Sequence, residues 1–237
     1  MEKGVEAFKR LSKNKALYRL LYDVCVVTFI TVVTSEHMIT HSYSFGRMCR
    51  FWTMWSCWSC LLYFFVAFCK QVALLLFPVV KKTPRSMVMS VLVDAVQQTA
   101  VVLCLCVTGM FWYLYFKSPS AVFRVDDGWQ PSLMEELFVT HFEHSFPLLF
   151  LLVDCFVFAQ GNKRVVLHYK ASKYIPLCAF CSYSALALHD FFRYQIRPYP
   201  FMDKWNLTPI LLMLIAVASL IQFVLNPVAY YIRKSLF

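Results

Sequence analysis

The sequence predicts an all-α integral membrane protein, a bundle of six transmembrane helices with both termini cytosolic. Three observations lead there. Of 237 residues, 60% are hydrophobic and only 15% charged, with a mean hydropathy of +0.59, more apolar surface than a soluble domain of this length needs. The apolar residues come in runs of about twenty, long enough to cross a bilayer as helices. Lys and Arg sit between those runs, so the net charge of +10 reads as membrane topology and not as a nucleic-acid surface. With 5 Gly, no low-complexity stretch and no internal repeat, nothing divides the chain, and 1–237 reads as a single domain.

Residues 1–15 form a basic amphipathic cytosolic lead-in carrying Lys3, Lys9, Arg10, Lys13 and Lys15. The first span, near 16–34, has no small-x-small cleavage site after it and reads as an uncleaved helix. Glu2 stands where myristoylation needs glycine, and the C-terminus carries no prenylation box. Further spans are expected near 50–78, 86–116, 133–160, 174–192 and 207–232. The third is long enough to tilt or to project into water. Six spans leave both ends on one side. That side collects sixteen of the 23 Lys and Arg, against seven (Arg47, Arg50, Lys117, Arg124, Arg193, Arg197 and Lys204) on the other, and the more basic side is cytosolic. Loops near 35–50, 117–134 and 193–206 then face the lumen or the outside of an endoplasmic reticulum or plasma membrane. Asn206-Leu-Thr208 matches a glycosylation acceptor. It abuts the sixth span and precedes Pro209, so it is expected to be unused.

Nine of the 10 Cys fall within apolar spans, which argues against a disulfide framework. Cys57-x2-Cys60 and Cys178-x2-Cys181 have the spacing of metal or redox pairs, but within lipid a cysteine usually behaves as a small hydrophobe. Asn226-Pro227-x2-Tyr230 matches a motif of rhodopsin-like receptors. With six spans, and no Asp-Arg-Tyr after the third, a proline-kinked helix end is the simpler reading.

The informative polar groups lie in the fourth span, which carries His141, Glu143 and His144 in its first half and Asp154 near its end. Ionisable side chains are costly in hydrocarbon and tend to face a bundle interior with a function there. His141 and His144, three apart, share a helix face. Counting from Glu136, His144 lies roughly 12 Å deep, and Asp154 roughly 15 Å further, near the cytosolic edge. Thr53, counted from Arg47 on the second span, lies roughly 9 Å deep from the same side. A hydroxyl and an imidazole at matched depth can form a nucleophile and its base. Alternatively, Thr53 bonds its own helix and His144 is a packing residue. His37-x3-His41 with His141-x2-His144 raises a metal reading. Histidine-rich di-iron lipid oxidases need more ligands in tighter clusters, and His168 falls on the opposite side. No metal or cofactor is expected.

Four stretches resemble, in order, the androgen-induced and androgen-dependent TFPI-regulating proteins. They are Gly46-x4-Phe51-Trp52-Thr53, the aromatic run Phe111-Trp112-Tyr113-Leu114-Tyr115, His141-x2-His144-x2-Pro147, and Tyr199-Pro200-Phe201. The resemblance covers most of the chain from about residue 44. This family has six spans and includes hydrolases of fatty acid esters of hydroxy fatty acids. The resemblance implies Thr53 as nucleophile and His144 as base, acting on a lipid ester drawn from the bilayer. His141, His189, Arg47, Arg50, Arg193 and Arg197 lie on the same outer side and are candidates to hold the lipid carboxylate. This sequence departs from the family pattern at Thr140, where Asn is usual, and at Asp94, which no Arg precedes. The alternative function is a non-catalytic six-span protein that binds lipid or a partner.

The basic-residue asymmetry predicts that a tag at either terminus is protected from protease until the plasma membrane is permeabilised. Removal of a C-terminal tag from intact cells would refute the six-span topology.

Overall fold

The structure is a computed structural model that describes residues 2–40, 45–77, 84–118, 141–158 and 172–235. The described residues form helices and no strand. In order these are α1 (Glu2–Thr40), α2 (Phe45–Met48), α3 (Trp52–Leu76), α4 (Pro84–Lys117), α5 (Phe146–Val153), α6 (Ile175–Tyr194), α7 (Leu207–Leu220) and α8 (Asn226–Ser235). α5 runs on through a π-helical turn, Asp154–Phe158, and a second such turn, Ile221–Leu225, joins α7 to α8.

Five segments among the described residues are long and apolar enough to span a membrane: Asn14–Glu36, Trp52–Leu76, Val88–Lys117, Ile175–Tyr194 and Leu207–Lys234. They correspond to the first, second, third, fifth and sixth expected spans. Phe146–Phe158 is a shorter apolar helix. It belongs to the fourth expected span, whose opening residues 133–140 lie outside the described residues, as do His41 and His168. The side chains of His37 and Arg47 also lie outside the description.

The helices present apolar side chains outward, among them Leu17, Leu62, Phe65, Ile215 and Phe223, while Asp23, Gln97, Gln98, Asp154 and Asn226 are buried. Lipid imposes this polarity, because a polar group facing hydrocarbon has nothing to bond. α4 is the central helix: 61% of its apolar window is buried, against 17–22% in the other four. Its middle, Ala100-Val101-Val102-Leu103-Cys104, is sealed on every side. α3, α5, α6 and α8 pack around it, and α1 packs on α3.

Two buried polar networks hold the bundle together. In the first, the Arg19 guanidinium contacts Asp154 at 2.7 Å, Asp23 at 3.0 Å and the Tyr63 hydroxyl at 3.0 Å. Gln97 Nε2 and the Tyr63 hydroxyl both donate to Asp154 Oδ2, at 3.0 and 2.5 Å. Four helices thus meet on Asp154. In the second, Arg233 donates to Gln98 Oε1 at 3.1 Å and Gln98 donates to Asn226 Oδ1 at 2.7 Å. The Asn226 amide in turn donates to the Lys173 carbonyl. Pro227 has no N–H, and the π-helical turn lies just before it, so the Asn-Pro pair marks an irregular turn inside the last span, not the helix end expected from the sequence, and its Asn side chain ties α4 to the start of α6.

One guanidinium serves two fully buried carboxylates, Asp23 and Asp154, 0% and 1% exposed. Removing the shared cation leaves both uncompensated, which typically costs about 3–5 kcal/mol. Arg19→Met is expected to lower the melting temperature in detergent far more than Asp154→Asn, which keeps the Arg19–Asp23 pair. Equal losses, or a larger loss for Asp154→Asn, would contradict this account.

Candidate functional site

The site is built where two helices are interrupted. α3 does not continue from α2. Cys49 and Arg50 form a turn and Phe51 is extended, with φ −99° and ψ 122°. Thr53 therefore sits in the first turn of α3, and the depth counted along an unbroken helix from Arg47 does not apply. Phe51 provides no side-chain cap. The first N–H of the helix, that of Trp52, is instead taken by the Tyr199 hydroxyl at 2.8 Å. Tyr199 arrives there because α6 ends in a left-handed cap at Gln195, φ 55°. Gln195 N–H bonds the Phe191 carbonyl at 3.1 Å and Ile196 N–H bonds the Asp190 carbonyl at 3.3 Å. That paired arrangement closes a helix end and turns the chain back.

The second interruption is at His144. Residues 141–144 make one helical turn, Ser145 breaks it, and α5 starts with Pro147 near its N-terminus. Proline cannot donate to the carbonyl four residues back, which here is Glu143. The Cys57 thiol lies 3.5 Å from that carbonyl, and the Cys60 thiol 3.6 Å from the Pro147 carbonyl. The Cys57-x2-Cys60 pair thus serves helix packing around a kink. The Thr108 hydroxyl on α4 donates to the His144 carbonyl, and Trp112 Nε1 donates to Ser145 Oγ at 2.9 Å.

These contacts fix the histidine. The His144 ring stacks on Phe111 with centroids 3.7 Å apart and planes at 27°, and its Nε2 lies 3.2 Å from Thr53 Oγ1. The neighbouring His141 packs on Trp112 instead, with centroids 5.0 Å apart. Thr53 and His144 line a cavity whose wall is mostly apolar, from Trp52, Met110, Phe111, Phe180, Phe191, Leu214 and others. Its polar lining comes from Thr53, His144, Tyr183, Tyr199 and Arg197. Tyr199 shares the cavity wall with Thr53 and Tyr183, and burial raises its pKa above the ordinary tyrosine value. The phenol therefore stays protonated.

The basic candidates separate. Arg197 reaches the cavity, with its guanidinium over Phe191 at 5.1 Å and on the Trp205 carbonyl at 3.3 Å. Arg50 is held by Asp190, with Nε 2.7 Å from Oδ2. His189 contacts the other oxygen of Asp190 at 3.2 Å and is 60% exposed. Arg193 is exposed in the last turn of α6. Among the described residues, no three His, Cys, Asp or Glu side chains gather as metal ligands would.

A family pattern described as FAR-17a/AIG1-like protein matches residues 15–230. The chain belongs to the FAR-17a/AIG1-like family. No curated protein and no solved structure matches it. The FAR-17a/AIG1-like match extends beyond the four motifs that first suggested the family and takes in the whole first span. It also includes Tyr199, Phe111 and Thr108, to which sequence reasoning assigned no role at the site. Tyr199 and Phe111 do stand within two of those motifs; Thr108 gave no signal.

Thr108→Val keeps the shape but removes the hydroxyl's hydrogen bond to the His144 carbonyl, a loss of about 0.5–1.5 kcal/mol. Thr99→Val, which removes only a bond to a carbonyl of its own helix at Ala95, is expected to cost less. Melting temperatures in detergent test the difference; equal values would show that the contact does not hold His144.

Proposed function

We propose that this protein is an intramembrane lipid ester hydrolase, with Thr53 as nucleophile and His144 as general base. It crosses the membrane six times with both termini cytosolic, and it acts on fatty acid esters of hydroxy fatty acids in the endoplasmic reticulum or plasma membrane. The observation that carries this reading is the 3.2 Å separation of Thr53 Oγ1 and His144 Nε2 on the wall of an apolar cavity. Family membership supports it further.

With its proton on Nδ1, His144 accepts the Thr53 proton at Nε2 as Oγ1 attacks the ester carbonyl carbon. The tetrahedral intermediate collapses by breaking the bond to the hydroxy fatty acid oxygen, which takes the proton back from the imidazolium. The acyl chain is now on Thr53. His144 then deprotonates water, which attacks the acyl carbonyl and releases the fatty acid. The substrate class follows from the lining. An apolar wall takes acyl chains, and Arg197 offers a guanidinium to a terminal carboxylate. Arg50, His189 and Arg193 belong to the surrounding basic outer face, and His141 supports the histidine turn through Trp112.

Thr53→Ala removes the atom that forms the acyl-enzyme. It is expected to abolish both ester hydrolysis and fluorophosphonate labelling in membranes at matched expression. His144→Ala keeps the hydroxyl without its base and is expected to lose about 10²-fold or more. Undiminished labelling of Thr53→Ala would end this reading.

A further inference from the structure

An acyl transfer to Thr53 needs a donor for the oxyanion that forms on the ester carbonyl, and His144 cannot serve, because it holds the Thr53 proton at that moment. The geometry points to Tyr199: we propose that its hydroxyl is the oxyanion donor of this site. The inference rests on the Thr53–His144 reading and extends it to a residue outside that pair.

Four observations carry it. First, Tyr199 lines the same cavity as Thr53 and His144, and its hydroxyl sits on the N–H of Trp52, the residue next to Thr53. A carbonyl oxygen on the carbon attacked by Oγ1 therefore develops its charge beside this hydroxyl. Second, Tyr199 is fixed before substrate arrives. Its oxygen accepts the Trp52 N–H at 2.8 Å, and the loop that bears it packs through Phe201, stacked on Tyr199 at 5.6 Å. Preorganised donors of this kind cost no reorganisation during reaction. Third, its setting polarises it in the useful sense. An N–H from the positive end of α3 bonds the Tyr199 oxygen, and the polar side chain of Tyr183 lies on the same cavity wall. A hydroxyl that accepts hydrogen bonds becomes a stronger donor, and a helix N-terminus adds to the effect. Fourth, the surroundings are apolar and close, with Trp52, Phe180 and Tyr183 packed together on the same wall. A hydrogen bond to an anion is worth more there than in water. No proton is transferred from Tyr199: it donates a hydrogen bond to the oxyanion, which reverts to a carbonyl as the leaving oxygen departs.

Tyr199 also caps α3, so a fall in activity alone would not separate the two roles. The distinguishing readout is the carbonyl atom itself. Full-length protein in membranes is assayed on an umbelliferyl fatty acid ester and on its thionoester, in which sulfur replaces the carbonyl oxygen and accepts hydrogen bonds weakly. Tyr199→Phe is expected to lower kcat on the oxygen ester by about 10²-fold with KM little changed. Thionoester turnover should change much less, so the oxygen-to-sulfur ratio collapses. Tyr183→Phe leaves the Tyr199 donor in place but removes a polar group from the same wall, and the ratio is expected to fall by a smaller factor. It supplies the test should Tyr199→Phe fail to insert. Equal losses on both esters in Tyr199→Phe, or an unchanged ratio in whichever of the two variants inserts, would overturn the assignment. Thr53→Ala is run alongside. Turnover surviving in it would remove the acyl-enzyme reading and this proposal together, whereas a dead Thr53→Ala with an unchanged ratio in Tyr199→Phe removes the oxyanion assignment alone.

Discussion

In hydrocarbon no backbone polar group can be left to solvent, so every break in a helix must be repaired by another part of the protein. This constraint shapes the molecule around its candidate site. The start of α3 exposes the Trp52 N–H, and Tyr199 takes it. The kink at Pro147 releases the Glu143 and His144 carbonyls, and Cys57 and Thr108 take them. The Phe150 carbonyl, beside the π-helical turn, receives the Tyr22 hydroxyl at 2.7 Å. Trp55 Nε1 reaches the Cys49 carbonyl at 2.9 Å across the break before α3. Two of these repairs fall at the site itself: Tyr199 lines the cavity of Thr53 and His144, and Thr108 holds the His144 carbonyl. Local irregularity and site construction are here one problem with one solution.

Charge is distributed by the same rule. Among the described residues, ion pairs form outside the cavity lining: Arg19 with Asp23 and Asp154, Arg50 with Asp190, and Arg233 with Asp94. Buried ion pairs of this kind add little net stability over a good apolar core, but losing one partner is severe. They therefore act mainly to specify which helices meet. Asp154 gathers α1, α3 and α4 onto the end of α5, the helix that follows the His144 turn. A change at this network reaches the site through helix placement and not through chemistry.

Much of the fold was legible in the sequence because lipid writes it there directly. Runs of apolar residues give the spans, and their boundaries agree within a few residues for the five long helices. Family membership was legible from four short motifs whose order carries more information than any one of them. The partnerships were not legible. Arg50 and Asp190 stand 140 residues apart, and Arg19 and Asp154 135 apart, so no periodicity links them. The nearness of Thr53 and His144 was suggested by matched depth, but along a continuous helix that does not exist. The breaks at Phe51 and Ser145 escaped notice because neither carries a turn signature: there is no glycine at either position, and the proline at 147 acts on carbonyls before it. The roles of Cys57 and Cys60 were hidden for a related reason, since a thiol that bonds a carbonyl on another helix looks in sequence like any small apolar residue.

The break before α3 also explains how a threonine hydroxyl can face a histidine at all. Inside a helix, Thr and Ser usually bond back to a carbonyl three or four residues earlier. This chain does so repeatedly: Thr34 bonds Ile30 at 2.8 Å, Thr99 bonds Ala95 at 2.9 Å and Ser59 bonds Trp55 at 2.7 Å. A hydroxyl engaged that way points along its own helix. Thr53 is the second residue of α3, so the residues three and four before it, Arg50 and Cys49, are not helical, and the Cys49 carbonyl is already occupied by Trp55. The usual local acceptor is missing. A β-branched side chain has few rotamers, so an Oγ1 without a backbone acceptor is held in a narrow range of directions. One of those directions meets His144 at 3.2 Å. Had the helix run unbroken from Arg47, as the sequence suggests, the same threonine would have had the acceptor that Thr34 and Thr99 use. The irregularity before α3 is thus the physical condition for a threonine–histidine contact at this position.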